Sequence, residues 1–511
     1  MCTSAASSAA VVQRPPQAAA VVSLAALLVA ACAAGPDFVR PSPPAQAGYL
    51  PEAAPAVAAP TAAADGHAQG FASGAAVPAD WWHLFGSSDL DRVVSEALAH
   101  NETLVSASAS LRQSEDALRA GYGVYFPQVD ADLGATRQRA SPLRFGQSGP
   151  SSIFNLFTLS GSVGYLLDVF GGARREVEAL HAGVEVERGL ALATYLALTA
   201  NVVNTSIASA AYRAEIAATR ASTEAAAAQL ELAEAQFTAG TAPYANVLSL
   251  KAQLAGLEAA LPPLELRAEQ ADHLLAVLAG HAPADWTPPR LLLDDFVLPQ
   301  SLPLSLPSAL VRQRPDVLAA EARLHAASAQ IGVATAALLP SLTLSGTLGH
   351  DASRWPQLRD ASGRFWSAAG DLSVPVFQGG KSWYGRKAAL DAYQAALADY
   401  RQAVLSAFQQ VADTLRALDH DGELVRAQSD AQAAAREALE LTQANYEAGV
   451  AGYLAVLTAT SQYQAAEIGY LAARSQRLQD TVALFIAVGG GWWDPAAPVP
   501  ALAPLAAGAS P

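Results

Sequence analysis

The chain has 511 residues, 52% of them hydrophobic and 15% charged, with a formal net charge of −15. That length can bury a large core, and the acidic balance argues against a nucleic-acid partner. No uninterrupted apolar run beyond residue 32 has the length of a membrane-spanning helix.

In chain order, Arg14 precedes an apolar stretch from Ala18 to Ala31 that ends Val29-Ala-Ala-Cys32. A positive start, a short apolar region and small residues before a cut site mark residues 1–31 as a secretory signal. A cysteine directly after the small residues resembles a bacterial lipobox, with Cys32 as the diacylated first residue of the mature chain. A plain signal peptide with an incidental cysteine is the alternative. Loss of Cys2 with the signal would leave one cysteine and no intramolecular disulfide. Residues 32–79 read as the anchor and a Pro/Ala-rich linker without periodicity.

The rest of the chain contains itself twice. Glu231-Leu-Ala-Glu-Ala-Gln-Phe-Thr-Ala-Gly240 returns as Glu440-Leu-Thr-Gln-Ala-Asn-Tyr-Glu-Ala-Gly449, and each glycine is followed at the same spacing by Tyr244 or Tyr453 and by Val247-Leu248 or Val456-Leu457. Tyr125-Phe-Pro-Gln-Val129 is echoed by Leu338-Leu-Pro-Ser-Leu342 at nearly the same separation. A repeat this long is one structural unit used twice. It divides the chain into a first repeat at 80–290, a linker at 291–306, a second repeat at 307–493 and a Pro/Ala-rich tail at 494–511 expected to be disordered.

Each repeat reads helix, strand, loop, strand, long helix, turn, helix. Val129, Ala131, Leu133 and Ala135 alternate with Asp130, Asp132, Gly134 and Thr136. Phe157, Leu159, Val163, Tyr165 and Leu167 alternate with Thr158, Ser160, Ser162, Gly164 and Asp168. In the second repeat Leu342, Leu344 and Leu348 stand against Thr343, Ser345 and Thr347, and Trp366, Leu372, Val374 and Val376 against Ser367, Asp371 and Ser373. This is period two, with one apolar and one small-polar face. A soluble half-buried hairpin gives the same pattern, but the segments also have the length of transmembrane strands. Four strands cannot close a barrel, and lipid forbids an open edge because unpaired N–H and C=O groups have no water there. If the strands span a membrane, several chains share one barrel.

Gly172 to Thr238 lacks proline and would form a helix ~100 Å long. Tyr393, Leu397, Tyr400, Val404, Phe408, Val411, Leu415 and Leu418 make a heptad-like seam in the corresponding stretch. Gly240 and Gly449 stop these helices, and the chain turns back through helices at about 242–280 and 451–488.

Cys32, Asp80-Trp-Trp-His-Leu-Phe85, the doubled Phe/Tyr-x-Ala-Gly motif, Asp168-Val-Phe-Gly-Gly172, Arg314-Pro-Asp316 and Val488-Gly-Gly-Gly-Trp-Trp493 together resemble the outer membrane efflux protein family of TolC-like channels. The resemblance is narrower to its OprM-like, NodT-type lipoprotein branch and covers nearly the whole mature chain. It implies an α+β membrane protein. Three chains each give four strands to a twelve-stranded outer-membrane β-barrel, continued by a long periplasmic α-barrel, with the linker and chain ends as a belt. It also implies a passive duct that exports small toxic compounds, working as a homotrimer with a periplasmic adaptor and an inner-membrane pump of the RND type. The turns at Gly240-Thr241 and Gly449-Val450 would be the tips that meet the adaptor.

In that family the residues after the second tip narrow the channel, often with aspartates. Here the positions near the tips are Tyr453, Leu454 and Thr458, with Asn246 and Ser249 in the first repeat, and none is a carboxylate. A neutral constriction is expected, with Leu454 as its hydrophobic element; packing between helices is the alternative for these side chains. Gly379-Gly-Lys-Ser382 is no P-loop, because Pro375 stands where its first glycine belongs. The nine histidines form no H-E-x-x-H or comparable cluster and one cysteine cannot build a thiolate zinc site, so no metal, cofactor or catalytic constellation is expected. Two alternatives remain, a conduit for type I protein secretion and a periplasmic coiled-coil scaffold lipoprotein.

Overall fold

The period-two segments pair as their alternation requires. In the computed structural model, residues 34–43, 45–46, 48–51, 69–75, 77–146 and 148–492 are described; Cys32, the signal, Trp493 and the tail lie outside them. The elements are β1 (Gly70–Ser73), α1 (Ser88–His100), α2 (Glu102–Gly121), β2 (Gln128–Ala140), β3 (Ser152–Leu167), α3 (Gly172–Thr238), α4 (Tyr244–Leu278), β4 (Ser301–Leu304), α5 (Pro307–Gln313), α6 (Pro315–Ala336), β5 (Ser341–Ala352), β6 (Arg364–Ser373), α7 (Lys381–Glu447) and α8 (Tyr453–Ala487). They group into two compact units. One comprises Met1–Val39, Glu115–Gly183 and Arg323–Leu397, the other Arg40–Ser114, Val184–Ala322 and Ala398–Pro511.

The first unit holds one antiparallel sheet in the order β2-β3-β5-β6, so the hairpins of the two repeats join through β3 and β5. Its register carries the alternation across every strand: Val129 opposes Val163, Leu133 opposes Leu159, Tyr165 opposes Leu344, and Leu348 opposes Trp366. Directly opposed residues share a face, which gathers the apolar side chains on one side and Asp130, Asp132, Ser160, Thr347 and Ser367 on the other. None of the described residues covers the apolar face, since Val129, Leu133, Leu159, Leu348 and Trp366 are all exposed. The outer edges of β2 and β6 have no partner strand among the described residues.

Two expectations shift here. Val374 and Val376 lie beyond the end of β6; Pro375 between them has no N–H to give a ladder. Asp168 also falls outside its strand. Its carboxylate accepts from Ala173 N (3.1 Å) and Arg174 N (3.0 Å), capping the start of α3, which satisfies donors that a helix N-terminus leaves orphaned. The glycines of Gly379-Gly-Lys-Ser382 have φ of 60° and 89° and form the turn into α7.

In the second unit β1 and β4 pair in parallel, from Gly70↔Ser301 to Ser73↔Leu304. Both segments fall in stretches expected to be linkers, because strands of four residues are too short to show a period. The single opening helix expected of each repeat is divided, at Asn101 and at Arg314-Pro315. Arg314 is bound on several sides: Asp316 takes it in a fork (3.0 and 2.7 Å), and it donates to Gln410 Oε1 and to Ala487 O, at the end of α8. Trp81, from the Asp80-Trp-Trp segment, is fully buried against Phe85 and Phe485. An 18-residue stretch of α3 reaches mean hydropathy 1.3, yet 61% of it is buried within the chain. In the seam of α7, Tyr400, Val404, Val411, Leu415 and Leu418 are buried, as the heptad spacing requires.

Candidate functional site

The second unit contains both interhelical turns, and they are built alike. After α3, Gly240 has φ 76°, its N–H reaches Phe237 O (2.9 Å), and Thr241 N reaches Gln236 O (2.9 Å). After α7, Gly449 has φ 74°, its N–H reaches Tyr446 O (2.9 Å), and Val450 N reaches Asn445 O (2.8 Å). Both are Schellman closures, whose left-handed residue is glycine because a Cβ there meets the following carbonyl. Gly240, Thr241, Gly449 and Val450 are all exposed.

The two tips share a core. Ala233 of α3, Val247 and Leu250 of α4 and Tyr453 of α8 are buried together, with Leu230, Tyr446 and Leu457 against them. Tyr446 packs edge-on to Tyr453 at 5.9 Å and donates to Gln236 Oε1 (2.9 Å), tying α7 to α3. Burial raises the Tyr453 hydroxyl to about 12, so it stays neutral.

Of the aperture candidates, the structure brings Leu454 and Thr458 together on one exposed face of α8, where Thr458 Oγ1 donates to Leu454 O (2.9 Å). Ser249 is exposed on α4 and donates to Ala245 O (3.0 Å), while Asn246 is half-buried. Tyr453 differs: it is 7% exposed and belongs to the core, whereas Leu454 is 72% exposed. None of these positions carries charge. The ion pair nearest in sequence is Lys251 with Glu234 (2.9 Å), which bridges α4 and α3.

The expectation that the histidines form no cluster is corrected. The fold gathers Glu96, His100 and His281, whose ligand atoms all lie within 4.8 Å of one another. A search for contiguous motifs missed it because His281 comes from another helix end. The local trace was Glu96 and His100, four apart on α1.

Comparison with known proteins follows the duplication. The sequence model of the outer membrane efflux protein family matches residues 93–281 and again 306–490. The pyoverdine export outer membrane protein OpmQ of Pseudomonas aeruginosa is 30% identical over 81% of this chain and 87% of its own. The outer membrane protein OprJ of the same species is 29% identical over 90% of this chain and 93% of its own. A solved structure of the outer-membrane channel OprN superposes with a TM-score of 0.81 at 27% identity, over 90% of this chain and 100% of that one.

Proposed function

The chain belongs to the outer membrane efflux protein family and is by that membership an outer-membrane efflux channel component; we propose that three copies close one barrel and form a passive duct. The observation that carries this reading is the four-stranded sheet with two unpartnered edges and one uncovered apolar face. In lipid such edges must be paired, and pairing β2 of one copy with β6 of the next satisfies every backbone group without a further element. Three copies give twelve strands. Asp130, Asp132, Ser160, Thr347 and Ser367 then line a polar lumen. The uncovered row from Val129 to Trp366 faces acyl chains.

The helices α3, α4, α7 and α8 continue the duct through the periplasm, and Cys32 carries a lipid that holds the chain in the outer leaflet's partner layer. The exposed Schellman turns at Gly240-Thr241 and Gly449-Val450 are where a periplasmic adaptor joins, and through it an inner-membrane pump of the RND type that supplies the energy. Leu454 and Thr458 narrow the resting duct, with Asn246 and Ser249 on the neighbouring tip, and the narrowing is neutral. Opening is a shift between closed and open arrangements of the tips, biased by adaptor contact. A wide polar lumen selects weakly among cargoes, and small molecules fit the export named for OpmQ.

The test is the native mass of detergent-extracted protein from fractionated membranes, beside a Cys32→Ser variant. A trimer recovered from the outer membrane is expected. A monomer released by salt or simple lysis would overturn the shared barrel and leave the scaffold reading.

A further inference from the structure

We propose that Glu96, His100 and His281 form a binding site for a divalent transition-metal ion of the zinc class, clamping the end of α1 to the end of α4. Glu96 and His100 stand at i and i+4, so their side chains rise from one face of α1. His281 arrives just past α4. Its Nε2 lies 2.8 Å from Glu96 Oε1, and His100 Nδ1 lies 3.2 Å from the same oxygen. A tetrahedral zinc ion with bonds of about 2.0–2.2 Å would hold its ligand atoms roughly 3.3–3.5 Å apart. The three donors, all within 4.8 Å of one another, reach that spacing by small side-chain rotations.

The backbone beneath them is fixed without help from a metal. Gly280 has φ +80°, and a Cβ added to it would stand 2.2 Å from His100 O, so only glycine lets the two chain segments touch. Asn101 Nδ2 donates to Leu278 O (2.9 Å), and His281 N closes the end of α4 on Ala276 O (2.9 Å). The His281 ring stacks on Trp286 at 5.7 Å and 20°, which sets its plane. Positions of this kind arrive at a ligand already ordered.

The donor set suits a cation. Two helices, α1 and α4, end at this point, while the start of α2 one residue on is capped by Asn101 Oδ1, which accepts from Leu104 N (3.1 Å). His281 Nε2 is hydrogen-bonded to Glu96 Oε1, whereas His100 Nδ1 is paired with the Glu96 backbone carbonyl (3.2 Å) and lies equally close to that carboxylate oxygen; a metal ion would take both nitrogen lone pairs and that oxygen at once. Two imidazoles and one carboxylate suit zinc, cobalt, nickel and copper, whereas calcium and magnesium require oxygen ligands. The side chains of Glu96, His100 and His281 are 36%, 53% and 29% exposed, which leaves room for the water that completes a three-ligand site.

The experiment uses the full chain in detergent with a tag that lacks histidine. Cobalt(II) is titrated and read by its visible absorption, then displaced with zinc. One equivalent per chain with the strong absorption of a four-coordinate ion is expected, together with a melting temperature that rises with zinc. Glu96→Gln, His100→Ala and His281→Ala should each weaken binding by at least ~10-fold and abolish the zinc-dependent rise. His83→Ala, which alters a histidine held by Asp91 in the same unit, should bind as the parent does. Metal-free melts of all four variants report whether each folds. Cobalt with the weak absorption of the hydrated ion, or a His83→Ala loss equal to that of His281→Ala, would overturn the site.

Discussion

Replacing Asp421 by asparagine should remove a pH dependence from the stability of the helical unit. Asp421 of α7 is 7% exposed, and its Oδ2 has no hydrogen-bond partner among the described residues. Burial, a hydrogen bond with Asp480 of α8 and the charge of that second carboxylate push its pKa up to about 7, against a weaker pull from Arg477. Arg477 is 1% exposed and donates to Gln69 Oε1 (3.0 Å), while Gln476 donates to Asp480 Oδ2 (2.9 Å). The folded pKa lies above the unfolded value of about 4, so the folded chain holds the extra proton between these limits. The stabilisation is therefore complete below about pH 4 and is lost as pH rises toward 7, at about 1.4 kcal/mol per pH unit and on the order of 4 kcal/mol in all. Asparagine keeps the shape and the hydrogen bond but cannot ionise. Thermal unfolding of the detergent-solubilised protein followed by circular dichroism, at pH 5 and pH 8, measures the difference. The variant's advantage over the parent should be about 2–3 kcal/mol larger at pH 8 than at pH 5. Equal offsets at both pH values would refute the proton shared between Asp421 and Asp480.

Leu454→Gly should raise the resting conductance of the protein in planar bilayers, and unchanged conductance would remove Leu454 from the aperture. Gly449→Ala forces an alanine to φ 74° and should cost about 1–2 kcal/mol, read as a lower melting temperature; no change would mean that the turn relaxes. Trp366→Lys should cost roughly 2–4 kcal/mol if its face meets the bilayer midplane, read as lost trimer in outer-membrane fractions. Ser367→Lys on the opposite face should leave trimer yield intact, and equal losses from both would reject the assigned faces.

Much of this fold was legible because the chain repeats a pattern that only one arrangement of backbone satisfies. Period two at Val129–Ala135 and Phe157–Leu167 marked the strands, and Gly240 and Gly449 marked the helix ends because glycine adopts their left-handed φ at least cost. What escaped had no periodic trace. The β1–β4 strands are four residues long, too short for a period to show, and β4 carries Pro303, which reads as linker. Asp168 reads equally well as the next polar position of a strand or as the cap of α3, and only the turn at Gly171-Gly172 decides. The helix expected at about 242–280 is continuous as α4, through Pro262 and Pro263. The Glu96, His100 and His281 grouping depends on two helix ends meeting, which spacing along the chain does not encode.

On the proposed assignment of the aperture, the two tips differ at equivalent positions of the duplication. Tyr244 and Tyr453 hold the same place after their glycines, yet Tyr244 is 49% exposed beside Phe237 while Tyr453 is 7% exposed in the shared core. The neighbouring pair differs in the opposite sense: Ala245 is small, and Leu454 is large and 72% exposed. On a helix, consecutive side chains point about 100° apart, so burying Tyr453 against Tyr446 turns Leu454 outward. The ring acts as an anchor that sets the azimuth of α8, and Leu454 depends on it without touching it. Tyr244 instead packs on Phe237 at 5.1 Å, and the first tip exposes Tyr244 and Leu248 (49% and 51%) beside the shorter Asn246 and Ser249. On that assignment, Tyr453→Ala should raise resting conductance in planar bilayers although its side chain is buried in the tip core, and unchanged conductance would refute the anchoring role.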